Sequence, residues 1–248
     1  MNILLSRILT YLNGTLFHDS HYKICTCIIF HYLEIEDMNE EDFLEKGPFK
    51  KEELYSFIAL LGFDTYEDFK QTLVNSHLTR CNQIRVRMLG ANSDELIDNM
   101  DKTCTHEETK IIISQICEKL YKAKRIVIFG ALYPISIAIE LQTDMITFGK
   151  PFIQYHNYDP IVLDEKDVAI VISATGRYLN GFKKTKEHVH IERAQQILIT
   201  QSKKYLSEAS DNCQVIYVPG KFDSINFNYQ IMTICDLIRL HYYQQYYL

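Results

Sequence analysis

The 248-residue sequence predicts an α/β fold, in which an N-terminal all-α segment of helix-turn-helix layout precedes a doubly wound parallel sheet. Up to about residue 90 the apolar residues recur at helical spacing, whereas from Lys124 short continuous β-branched runs alternate with helical stretches. Strands that are apolar without alternation belong to parallel sheets covered on both faces, because water reaches neither side.

The N-terminal elements follow from periodicity and breakers. A helix is expected from near Asp19 or Ser20, a plausible N-cap, with Ile24, Cys27, Ile28 and Leu33 on its buried face. An acidic stretch, 39–45, offers Phe43 and Leu44 as its buried contact, and Gly47-Pro48 breaks the chain. The amphipathic segment Lys51–Leu61 ends at Gly62, a natural C′ glycine, and Tyr66, Phe69 and Leu73 begin the next helix. Short helix, tight turn, helix and Gly-Phe form the expected helix-turn-helix unit. Residues 79–123 read as a helical connection with an apolar stripe of Ile111, Ile112, Gln115, Ile116 and Leu120. The expected division is therefore 1–90, a connector over 91–123, and an α/β domain over 124–248 whose first helix begins near 105.

In the second half five strands are expected, at 125–130, 152–156, 167–173, 196–200 and 214–219. A helix over 135–148 stops at Gly149, and a last helix fills Tyr229 to about Tyr242. Composition agrees with a packed core: 47% of residues are hydrophobic and 23% charged. The seven cysteines show no paired framework, so buried thiols and the reducing cytoplasm are expected. The apolar start is interrupted by Ser6, Arg7 and Asn13, which argues against a signal peptide. No apolar run approaches the roughly 20 residues a bilayer requires, so no membrane partner is expected. Metal binding at His188 and His190 is not expected, since no third ligand stands near, and no cofactor is expected.

Ligands of open parallel sheets sit beyond the carboxyl ends of the strands. There the sequence places Gly130 and Tyr133 after the first strand, and Ser173-Ala-Thr175-Gly176-Arg177-Tyr178 after the third. Two hydroxyls, a glycine and a helix start suit a phosphate, with Arg177 adding a charge-assisted bond. The competing reading is that Ser173 and Thr175 merely cap the following helix.

The stretches IVIFGALYPIS, DVAIVISATGRY and ILITQSKKYLSEASDNCQVIYVP resemble the SIS (sugar isomerase) domain pattern over roughly residues 105–248. The resemblance implies a bound sugar phosphate, held by Ser173 and Thr175 with Gly176 allowing close approach. Leu132, Pro134 and Tyr178 depart from that pattern, which strips the first loop of its usual ligand contacts. Together with 42–70, ending LLGFDTYEDFK, the whole chain resembles the RpiR/MurR family of transcriptional regulators. That resemblance implies DNA as a partner, a phosphorylated sugar as the signal, a homodimer or homotetramer, and regulation rather than enzymatic turnover. Lys50, Lys51, Tyr55 and Ser56 fall on the DNA-reading helix, with Ser56 where the family commonly has arginine.

Arg80, Arg85 and Arg87 add a modest basic cluster or a solvated helix face, against a formal net charge of −6. Two rivals stay open. One is a degenerate relative acting through protein contacts. The other is a sugar-phosphate isomerase or lyase with Glu140, Glu187 or His188 as its base.

Overall fold

A computed structural model describes residues 4–15, 18–130, 133–156, 161–177, 189–221 and 225–248. The chain forms two compact units: Met1–Leu89 with Thr143–Pro151, and Gly90–Gln142 with Phe152–Leu248.

The first unit is helical: α1 (Leu4–Gly14), α2 (Ser20–Phe30), α3 (Glu40–Lys46), α4 (Lys51–Leu61) and α5 (Tyr66–Met88). Its core takes Leu5, Ile8 and Leu9 from α1, Ile24 and Ile28 from α2, and Phe43, Ile58 and Phe69 from the later helices. Capping fixes where these helices start. Asp19 accepts from the Tyr22 amide at 2.7 Å, Asn39 and Asp42 form a reciprocal capping box, and Thr65 accepts from the Asp68 amide at 3.1 Å. The end of α4 is closed by Gly62 at φ 95°, where the Phe63 amide reaches the Ile58 carbonyl at 3.0 Å.

The segment Thr143–Pro151 supplies this unit with the fully buried Met145 and Ile146. It also supplies Asp144, whose Oδ1 accepts from Arg80 Nε at 2.9 Å and from Nη2 at 2.5 Å. Arg80 is therefore not part of an exposed basic cluster, because its guanidinium is consumed by a buried carboxylate. Two further expectations fail here. Leu33 follows α2 and is 48% exposed, since the helix has already ended. Leu44 is only half-buried, which leaves Phe43 as the inward side chain of α3.

The second unit begins with α6 (Ser93–Asp98) and α7 (His106–Lys122). Thus 79–123 is three separate helical pieces, not one connector: α5 runs on to Met88, and breaks precede α6 and α7. On α7 the buried stripe is Ile113, Ile116, Cys117 and Leu120, whereas Ile111 is 56% exposed and Gln115 is exposed. The apolar run there allowed two helical phases, and packing against the last helix selected the other one. Cys117 Sγ marks that packing, donating to the Ile238 carbonyl at 3.5 Å.

The sheet consists of β1 (Arg125–Phe129), β2 (Phe152–Gln154), β3 (Asp167–Ile172), β4 (Gln195–Thr200) and β5 (Cys213–Tyr217). All pairings are parallel and the order is β2-β1-β3-β4-β5. The five expected strands are all present, each within a few residues of its expected bounds. Every residue of β3 is buried, as a central strand covered on both faces requires. The expected helix over 135–148 is divided into α8 (Tyr133–Ile137) and α9 (Ile139–Thr147), and Gly149 follows at φ 78°. The last helix, α10 (Ile225–Tyr246), starts earlier and ends later than expected.

The cysteines are all free thiols, with Cys25, Cys27, Cys117 and Cys235 buried. Burial pushes the Cys27 thiol up to about 11, which keeps it protonated and inert. Among the described residues no helix is long and apolar enough to cross a membrane, and no three His, Cys, Asp or Glu side chains gather to hold a metal.

Candidate functional site

In the strand order β2-β1-β3-β4-β5 the chain moves outward in one direction from β1 to β2, then in the other from β3 onward. With right-handed crossovers, these successive connections lie on opposite faces of the sheet. A crevice must therefore open beyond the carboxyl ends of β1 and β3, the switch point at which doubly wound sheets take their ligands. Phe129 pairs with Val171 in the register, so Gly130 lies beside Ile172, one residue before Ser173, at this end.

Gly130 is needed by close approach. A Cβ there would stand 3.1 Å from the Ile172 carbonyl oxygen and 3.2 Å from Ile135 Cγ1. Beyond β3 the chain makes a tight turn, with the Gly176 amide donating to the Ser173 carbonyl at 3.0 Å. Gly176 sits at φ 70°, the left-handed region that glycine adopts without strain.

The turn is held from β4. The Gln201 amide and the Thr200 hydroxyl both donate to the Ala174 carbonyl, at 2.8 and 3.2 Å. Tyr205, in the short 3-10 turn Lys203–Glu208, donates its hydroxyl to the Gly176 carbonyl at 3.0 Å. Its ring lies so close that a Cβ on residue 176 would meet Cε2 at 1.9 Å.

Ser173 is buried, Thr175 half-buried and Arg177 exposed. Two details bear on the alternatives left open by the sequence. The Gly176 amide points to Ser173, not to a ligand. The Thr175 hydroxyl accepts from the Arg177 amide at 3.3 Å and from Arg177 Nε at 3.1 Å, so it does serve as a local cap. As acceptor of both bonds, Thr175 keeps its own hydroxyl proton for a further acceptor, and no described residue takes a bond from the Arg177 Nη groups. A hydroxyl donor and a guanidinium edge thus remain for an anion. The Tyr133 side chain and all of Tyr178 lie outside the described residues. Tyr205 was missed at the sequence level, because nothing in its neighbourhood connects it with a glycine 29 positions earlier.

The other expected site lies at the start of α4. Lys50, Lys51 and Ser56 are exposed and Tyr55 is half-buried. Lys51 and Tyr55 share one partner: Glu40 accepts from Lys51 Nζ at 2.6 Å and from the Tyr55 hydroxyl at 2.9 Å. These two donors hold Glu40 below the usual carboxylate range, Lys51 more strongly. The Lys50 amide donates to Glu53 at 2.7 Å, which spends that carboxylate on the start of α4. Met1–Leu89 carries nine Lys and Arg against thirteen Asp and Glu, so the surrounding field is acidic.

Two candidates for a catalytic base, Glu187 and His188, lie outside the described residues. Glu140 is paired with Arg239 at 2.9 Å. His190, at φ 52°, pairs with Glu192 at 3.2 Å.

Fold and site together define a doubly wound α/β unit with its crevice at the β1/β3 switch point, carried on one chain with a helical unit. No family model matches the chain, and no curated protein matches it. Among solved structures, it is similar to the Vibrio vulnificus NanR protein complexed with ManNAc-6P, at 14% identity over 98% of this chain and 92% of that one, TM-score 0.46. It is also similar to a hypothetical protein of Methanococcus jannaschii inferred to be a 3-hexulose-6-phosphate isomerase, at 19% identity over 62% and 88%, TM-score 0.46. A third likeness is to the sugar isomerase domain of an RpiR transcription factor from Sphaerobacter thermophilus, at 13% identity over 66% and 89%, TM-score 0.40.

Proposed function

We propose that the protein is a cytoplasmic, phosphosugar-responsive regulator. Its α/β unit binds a phosphorylated carbohydrate and its helical unit delivers the output as a DNA-binding helix-turn-helix in a homo-oligomer. The observation that carries the sensing half is the turn Ser173–Gly176. It stands beside Gly130 at the switch point and leaves the Thr175 hydroxyl and the Arg177 guanidinium edge available to an anion. A regulatory rather than enzymatic role is supported by Glu140, the one described candidate base, being engaged by Arg239. A ligand changes the output only if it binds one arrangement of the protein better than another.

The test of sensing is a thermal melt against a panel of sugar phosphates. Linkage gives about 2.7 kcal/mol at one hundred times the dissociation constant, roughly 5–10 °C for a chain of this size. Thr175→Val and Ser173→Ala are expected to abolish the shift, and a wild-type melt indifferent to every phosphate would refute the proposal.

A specific observation favours a second reading of the output. Glu40 occupies Lys51 and Tyr55 within an acidic field, which suits contact with a protein better than with phosphates. Fluorescence anisotropy with random and upstream DNA over a salt series separates the two. Salt-dependent binding supports DNA, and none at low salt supports a protein partner.

A further inference from the structure

We propose that β5 is a docking edge for a second copy of the chain. The strand pairs antiparallel with its own counterpart about a two-fold axis at Ile216, joining two five-stranded sheets edge to edge. The inference goes beyond the sensing reading and gives the proposed homo-oligomer a defined face.

β5 is the last strand in the order β2-β1-β3-β4-β5, so one side of its backbone has no neighbouring strand. The ladder fixes which groups lie on that side. The Gln196 amide donates to the Asn212 carbonyl at 2.7 Å and the Val218 amide to the Thr200 carbonyl at 2.8 Å, in the register that pairs Leu198 with Val215. The even-numbered residues therefore turn their backbone toward β4, and Cys213, Val215 and Tyr217 turn theirs away. Cys213 is satisfied within its own turn, exchanging bonds with Ser210 at 2.9 and 3.0 Å. Among the described residues, none bonds the amide or the carbonyl of Val215 or Tyr217. Pro219, which has no N–H, then ends the edge. Between these two stops the sequence CQVIY carries no charge and no proline, the usual guards of an exposed strand.

Self-pairing uses the open groups without remainder. With Ile216 on the axis, Val215 stands opposite the partner's Tyr217, and Tyr217 opposite the partner's Val215, so each open amide meets an open carbonyl. Pairing about Val215 would instead set Tyr217 against the partner's Cys213, whose groups are already taken. Asp211 and Lys221 are exposed and lie five residues to either side of Ile216, so the same axis brings opposite charges to each end of the contact. Apolar side chains add to the surface. Leu206 is exposed on the 3-10 turn that packs against β5. Ile111 is exposed on α7, one turn from the Gln115 that accepts from Gln214 at 2.8 Å. An isologous contact closes on itself, so the dimer leaves no edge for further strands to join at β5.

The full chain tests this by sedimentation velocity, residue-resolved amide exchange and cross-linking. Wild type is expected to dimerise as its concentration rises. The Val215 and Tyr217 amides should then exchange about tenfold more slowly, the effect of one added hydrogen bond. The Gln214 and Ile216 amides, which face β4 in either state, should respond far less. Val215→Pro deletes a donor that points away from β4, so it should dissociate the dimer and leave the monomer folded.

Residues facing each other in a non-hydrogen-bonded pair are about 4.5 Å apart at Cα, within reach of a disulfide. Ile216→Cys should therefore link to its own counterpart under mild oxidation, detected by mass as two peptides joined through position 216. Val215→Cys, which faces Tyr217, should not. Dimers whose Val215 and Tyr217 amides exchange as fast as in the monomer, or Ile216→Cys dimers that stay unlinked, would overturn this interface and leave the sensing reading intact. A wild type that stays monomeric at every concentration would overturn both the interface and the proposed homo-oligomer.

Discussion

At the scale of single residues the most consequential pair is Arg80 and Asp144. Their side chains are 6% and 0% exposed, so the ion pair between them replaces much of the hydration that each charge gives up. Arg80→Met should destabilise the protein by about 3–5 kcal/mol, because it takes the guanidinium away from a fully buried carboxylate. The double change Arg80→Met with Asp144→Leu should recover most of that loss, since it removes both charges and keeps the volume. Urea denaturation of the three proteins checks both statements, and a fully additive double mutant would show that the two groups do not interact. Gly176 is the second such residue. Any side chain there meets the Tyr205 ring and requires an L-residue at φ 70°, so Gly176→Ala should cost upwards of about 1 kcal/mol and abolish phosphate-induced stabilisation.

At the scale of elements, the join between α3 and α4 runs through one carboxylate. Glu40 has its pKa lowered by the bonds from Lys51 and Tyr55, so its contribution is complete above the ordinary carboxylate range and is lost as pH falls through the depressed value. The stability difference between wild type and Glu40→Gln should therefore be present at neutral pH and vanish in acid, as read from denaturation midpoints across pH 2–7. If α4 reads DNA, the same substitution frees Lys51 and should raise DNA affinity while steepening its salt dependence by about one ion.

Elements were also the level most legible in the sequence. The β-branched runs of β1, β3 and β4, the cap at Asp19 and the left-handed Gly62 are local chemistry, so they can be read from neighbours along the chain. What could not be read depends on partners far away. Arg80 looked like surface charge because Asp144 stands 64 residues on, and the apolar run of α7 left its buried phase to be chosen by α10. The candidate site was legible to the same extent. Ser173, Thr175 and Gly176 stand together in the sequence, but the clasp of Tyr205 arises only when β4 lies beside β3.

At the scale of the whole molecule, the chain leaves the α/β unit after Gln142 and re-enters it at Phe152, lending the intervening residues to the helical unit. A fragment comprising 90–248 would hold those residues without their partners, exposing Met145 and Ile146 and leaving Asp144 without Arg80. Such a fragment is expected to bind a hydrophobic dye and to melt with less cooperativity than the intact protein, as monitored by ANS fluorescence and circular dichroism. A sharp melt with no dye uptake would show that the loan is dispensable. For anyone building hybrids from this protein, the arrangement dictates where to cut. A transplant of the helical half with a single splice near position 90 takes the arginine and leaves its counter-charge in the donor, whereas two more junctions, after 142 and before 152, carry both ends of the bond into the new host.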